Sequence, residues 1–220
     1  MYDGRESTEE PPPPPPHELA MLAHVLERLV VRNDRIEAEE PDWAAEAGLR
    51  RRGLLAFRSA RAPSIAVGKY LERIQRYTGM DPSCFVVAFV YIDRMAHRHP
   101  ASLVMSFNVH RLILTSLLIA SKVLDDTHHN NAFFARVGGV SNAELNKLEL
   151  ELLFLLDFEV TVSSRVFESY SLHMEKEMLW SGPKQIPIIK SLTAIDEELD
   201  RRANISRRHS SSPPRNSITY

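Results

Sequence analysis

Apolar side chains along this chain recur mainly at three- and four-residue spacings, the period of a helix with one buried face. Leu19, Leu22, Ala23, Leu26, Leu29 and Val30 form the first such run and predict an amphipathic helix from His17 that ends near Asn33. A polar, irregular stretch follows over 34–60. Its basic triplet Arg50–Arg52 precedes Leu54–Phe57, which reads as a linker with a short docking turn.

Start and stop signals then become regular. Ser64 opens a helix over Ile65–Tyr77, and Gly79 sits where a C-terminal glycine belongs. Gly68, inside that helix, costs about 1 kcal/mol relative to alanine. Asp81-Pro82 supplies an N-cap and a first-turn proline for the nearly continuous apolar stretch Phe85–Arg94. Ser106 caps a run that ends at Leu124, Asn130–Val137 makes a short helix stopped by Gly138-Gly139, and Ser141-Asn142-Ala143-Glu144 is a capping box. Phe167–Leu179 and Ile188–Leu199 are further helical runs after a break at Thr161–Ser164. No segment reads as a strand, so the expected class is all-α. Leu112–Leu124, apolar in nearly every direction, belongs at its centre.

Two charges interrupt this pattern. Lys122 lies near the end of the most apolar run, and Glu149 falls between Leu145, Leu153 and Leu156, while Asn146, Lys147 and Glu151 take the opposite face. An isolated ion is too costly to bury. The two must therefore bind each other, reach a wet rim, or await another molecule's polar groups. The last of these would make the protein a docking surface.

Composition narrows the partners. With 27 basic and 29 acidic residues the chain is nearly neutral, so no global field recommends nucleic acid or membrane. One cysteine, Cys84, cannot form an internal disulfide or a cysteine-based zinc site by itself, and no run approaches the ~20 apolar residues that span a bilayer. An intracellular location, nuclear or cytoplasmic, is expected. Signatures of phosphate loops, dinucleotide folds, serine hydrolases and zinc proteases are missing. His97, His99, His110 and the pair His128-His129 lack cysteine or carboxylate partners at metal-ligand spacing. Cys84, between Ser83 and Phe85-Val86, reads as a small core residue. Neither an enzyme nor a bound cofactor is expected.

The order of segments carries a further signal. Tyr91-Ile92-Asp93-Arg94, Ala120-Ser121-Lys122 and Leu148-Glu149 resemble signature positions of the cyclin box. Arg61-Ala62-Pro63-Ser64-Ile65, Lys69-Tyr70-Leu71-Glu72-Arg73-Ile74, Pro82–Ala88, Ser106–Leu112 and Asn130–Ala135 resemble the plant P-type (U-type) cyclins, which are similar to the phosphate-signalling cyclin of yeast. The resemblance covers roughly 54–178. It implies a five-helix cyclin box at 54–160, and composition and periodicity set around it a proline-rich disordered arm at 1–16, an extra helix and linker at 17–53, a helical extension at 161–200 and a Ser/Arg-rich disordered tail at 201–220. It also implies a non-catalytic subunit that binds and activates a cyclin-dependent protein kinase, in cell division or nutrient signalling. Lys122, Glu149, Ala120, Ser121 and Leu145 would form the kinase-binding surface. The alternatives are a pseudo-cyclin scaffold that binds without activating, and a helical adaptor of the transcription-factor type.

Asp93 falls among Val86, Phe89 and Val90, which calls for a structural ion pair. Cyclins usually answer this aspartate with an arginine on the first box helix. Here Pro63-Ser64 stands at the matching place, leaving Arg61 as the candidate partner. That departure gives no ground for carrying over the hydrophobic substrate-docking groove of mitotic and S-phase cyclins. In the tail, which carries five arginines and no acid over 201–220, Ser212-Pro213 has the form a proline-directed kinase prefers and Arg207-Arg208-His209-Ser210 suits a basophilic one. Ser210 and Ser212 are thus candidate phosphosites.

Overall fold

A computed structural model describes residues 14–39, 51–100, 102–126 and 129–180. The proline tract before residue 14, the run Ile188–Leu199, and the tail with Ser210 and Ser212 lie outside the described residues. Within them the chain forms α1 (His17–Glu39), a 3-10 turn (Arg51–Phe57), α2 (Val67–Thr78), α3 (Ser83–Arg98), α4 (Val109–Leu124), α5 (Asn131–Gly138), α6 (Asn142–Leu155) and α7 (Ser164–Leu179), with no strand among them.

The central element is α4. Leu112 through Ser121 are all buried, as an all-round apolar helix requires. Its longest partner is α3, itself almost wholly buried from Cys84 to Asp93. Helices α5 and α6 close the other side of α4, while α1 lies across α2, α3 and α7. One core therefore joins α1 and α7 to the five helices between them.

Local signals act mostly where the sequence places them. Gly79 and Gly139 take left-handed conformations, φ 59° and 74°, and their amides bond back to Gln75 and Ala135. A side chain rarely adopts that conformation, so glycine fits there. Asn130 caps α5 by accepting from the Phe133 amide, and Ser141 caps α6 by accepting from the Glu144 amide. The second half of the expected capping box is not made, because the Glu144 carboxylate instead meets the Arg111 guanidinium at 2.5 Å.

Several boundaries differ from expectation: Pro82, not Asp81, stands at the cap of α3, which runs on to Arg98, and α7 starts at Ser164, capped by Ser163. Helix α1 continues six residues past Asn33 to Glu39 because its polar residues find partners: Asn33 Nδ2 donates to the Val104 carbonyl at 2.8 Å, Asp34 accepts from the Ser106 amide, and Arg35 pairs with Glu39. Helix α2 begins at Val67, and the residue before it, Ala66, offers no side-chain cap, so Ser64 stays in the preceding loop. Helix α4 starts at Val109 rather than after Ser106. Asn108 folds its side chain back on the loop, accepting from the Met105 amide and donating to the Leu103 carbonyl, and this local ring delays the helix.

Candidate functional site

Two helix ends and the middle of a third helix meet where Lys122, Asn131 and Glu149 sit. Lys122 Nζ donates to Glu149 Oε1 at 2.5 Å, which joins the last turn of α4 to the middle of α6. The other carboxylate oxygen, Oε2, accepts from Asn131 Nδ2 at 2.7 Å, at the start of α5. The two ions therefore bind each other, the first of the three fates open to them. They do so at a rim, with side-chain exposures of 31% for Lys122 and 15% for Glu149. An ammonium has three hydrogens to donate and a carboxylate about four lone-pair positions. Each ion thus keeps hydrogen-bonding capacity for a second molecule.

The neighbouring residues do not lie as the sequence suggested. Ala120, Ser121 and Leu145 are buried, at 0%, 2% and 0% exposure, because α4 and α6 pack against each other along that face. They support the rim from behind and cannot be its contact surface. Val123 and Leu124 at the end of α4 are exposed instead, and so are Leu150, Phe154 and Phe158 at the outer side and end of α6. Leu150 and Phe154 stand one turn apart, and Phe154 meets Phe158 edge to face with ring centres 5.2 Å apart. The sequence signal for them was available: large apolar residues on the polar side of a helical pattern.

The order and packing of these helices agree with the family comparison. The family model for cyclins matches residues 17–160, which takes in α1 as well as the five helices that follow.

This chain belongs to the cyclin family.

Among curated relatives, Cyclin-U1-1 of Arabidopsis thaliana is 53% identical over 188 residues, covering 86% of this chain and 85% of the relative. Cyclin-P1-1 of Oryza sativa subsp. japonica is 60% identical over 168 residues, covering 75% of this chain and 63% of the relative. Cyclin-U4-1 of Arabidopsis thaliana is 41% identical over 177 residues, covering 80% and 84%. The plant P-type and U-type resemblance is thus the right subgroup, and the chain is a cyclin of regulatory type.

Elsewhere in this cyclin the buried charge of α3 is handled differently from the expected ion pair. Asp93 is 1% exposed, and its Oδ2 accepts from the Tyr170 hydroxyl of α7 at 2.6 Å. His97 Nδ1 stands 3.4 Å from Oδ1, one turn along the same helix. Arg61 lies exposed in the loop six residues before α2 and is not its partner. Helix α2 starts too late to carry Arg61 inward, so the hydroxyl and imidazole take the place of a guanidinium. Burial raises the Asp93 pKa, and the hydrogen bonds from His97 and Tyr170 offset part of that rise.

Cys84 is fully buried and its thiol is pushed up to about 12, first by burial and then by the carboxylates of Asp125 and Asp81. That environment suppresses the thiolate a nucleophile needs. The histidines use a ring nitrogen on backbone carbonyls: His97 on Asp93, His99 on Leu155, His110 on Ile65 and His129 on Thr78. Among the described residues no group of three metal-ligating side chains comes together, and no helix is long and apolar enough to cross a membrane.

Proposed function

We propose that this chain is the regulatory subunit of a cyclin-dependent protein kinase, and that the Lys122–Glu149 rim is where the kinase docks. The observation that carries this reading is the pairing itself. Two opposite ions meet at a partly exposed junction of three helices with hydrogen-bonding capacity left over, and the exposed Val123 and Leu124 directly follow Lys122 in the chain. Such a site offers a partner charge-assisted hydrogen bonds, which fix orientation and specificity more than they add area. The ions' mutual bond neutralises them, so the free subunit does not carry an uncompensated buried charge while it awaits the kinase.

Activation would follow from differential affinity. A subunit that binds the kinase better when the kinase's mobile helix is turned inward shifts the kinase toward that state, by no more than the difference in binding free energy. The inward helix brings its glutamate to the active-site lysine, and phosphoryl transfer is then the kinase's own chemistry. This cyclin contributes the bias alone.

The test is a charge exchange. Because the two residues already face each other, Lys122→Glu combined with Glu149→Lys keeps an ion pair within the subunit and reverses what is presented to the kinase. Helical circular dichroism should be unchanged, while co-purification with a cyclin-dependent kinase and phosphorylation of a histone substrate by the reconstituted pair should both be lost. Retained kinase binding would refute the site. Binding without kinase activity in the unmodified pair would leave docking but remove activation.

A further inference from the structure

The two carboxylate oxygens of Glu149 are satisfied from two different helices. Oε1 receives Lys122 from α4, and Oε2 receives Asn131 from the first position of α5. The Asn131 amide nitrogen gives its second hydrogen to Asn146 Oδ1 on α6 at 2.8 Å. A carboxylate only accepts, so the amide must face it with its nitrogen, and both hydrogens of that nitrogen are then engaged. Asn131 is thus bound at once to Glu149 and to the helix that carries Glu149.

Its neighbour makes the assignment sharper. Capping of α5 is already done by Asn130, whose side-chain oxygen accepts from the Phe133 amide at 2.9 Å, and the helix is anchored in the core by Phe134, Ala135 and Val137. Two adjacent asparagines therefore divide the work. Asn130 starts the helix, and Asn131 reaches across to Glu149 and Asn146.

We infer that Asn131 is a positioning residue for kinase docking: it fixes the Glu149 carboxylate in one orientation on Lys122, so that the partner meets a preformed pair. This rests on the kinase-docking reading above. A glutamate side chain on a rim has several rotamers, and holding it before the encounter removes an ordering cost from binding. A positioning residue of this kind affects the partner's affinity through Glu149 alone.

The experiment is a double-mutant cycle on the full chain, with affinity for a purified cyclin-dependent kinase as the readout and thermal unfolding as a control. Asn131→Ala should weaken kinase binding on the order of tenfold, the size of one lost preorganising contact. Asn131→Asp, which sets a second carboxylate against Glu149, should weaken it further. On a Glu149→Gln background, Asn131→Ala should add little, because both changes act through one group. Loss that is fully additive on that background, or equal for Ala and Asp, marks a merely structural role and overturns the inference. Unchanged affinity in both Asn131 variants also overturns it, while the docking reading stands provided the Lys122/Glu149 exchange abolishes binding. If the exchange leaves binding intact, the docking reading fails as well.

Discussion

The hydroxyl of Tyr170 on α7 donates to the Asp93 carboxylate on α3 across 2.6 Å, in a place neither residue shares with solvent. This bond ties the helix that follows the matched cyclin segment to the core of that segment. It also gives a buried carboxylate one of its few donors.

Removing that donor should reveal the charge. Tyr170→Phe keeps the ring, which packs edge to face on Phe89, and deletes only the hydroxyl. A loss of about 1–3 kcal/mol is expected at pH 7, the cost of leaving a buried acceptor short of a partner. The pH dependence has a definite sign. The folded-state pKa of Asp93 is already raised by burial, and losing a hydrogen bond to the ionised form raises it further. The carboxylate's penalty is absent while the group is protonated and sets in as pH rises from the ordinary carboxylate range through the raised folded-state pKa. Urea unfolding at pH 7 and near pH 4 should therefore show a larger deficit for Tyr170→Phe at the higher pH. A deficit that grows toward acid would contradict this account.

Two glycines inside or ending helices should respond oppositely to alanine. At Gly68 a methyl group would meet Ala23 Cβ at 3.7 Å and Glu27 Oε1 at 3.8 Å, ordinary contacts, and Gly68→Ala should stabilise by about 0.5–1 kcal/mol through helix propensity. At Gly138 the methyl would fall 2.2 Å from Leu114 Cδ2, in the fully buried centre of α4, and Gly138→Ala should cost about 1–3 kcal/mol by overpacking. Thermal or urea unfolding of the two variants checks both; equal effects would mean that α5 does not pack so closely on Leu114 of α4.

On the outer side of α6, Phe154 is 67% exposed and Leu150 55% exposed. Phe154→Ser should leave stability within about 0.5 kcal/mol, as for surface sites generally, but weaken kinase binding severalfold if this face adjoins the docked partner. Paired unfolding and affinity measurements separate the two quantities. Unchanged affinity would confine docking to the ionic rim.

How much of this could be read from the chain differs residue by residue. The seven α-helices among the described residues follow from periodicity, and the glycine stops and the caps at Asn130 and Ser141 act through neighbours a few residues away. Boundaries at Ser64, Ser106 and Asn33 shifted where a loop or a distant helix offered the side chains other partners. Lys122 and Glu149 stood out as misplaced charges, and their pairing was one of the fates open to them. Ala120, Ser121 and Leu145 were grouped with them as neighbours, but nearness in sequence to a rim residue does not decide whether a side chain faces out. Arg61 failed as the partner of Asp93 for a similar reason: its role required a helix that begins six residues later.

Local patterning, by itself, determined the all-helical class, the central place of the helix ending at Leu124 and the membership of the cyclin family, because each depends on interactions within a turn or on ordered short phrases. Only the tertiary structure decided which groups meet: Lys122 with Glu149 across 27 residues, Asn131 with Glu149 across 18, and Tyr170 with Asp93 across 77. Helical periodicity fixes the face on which a side chain lies. The crossing and rotation of whole helices, set by packing of the shared core, fix what that face touches.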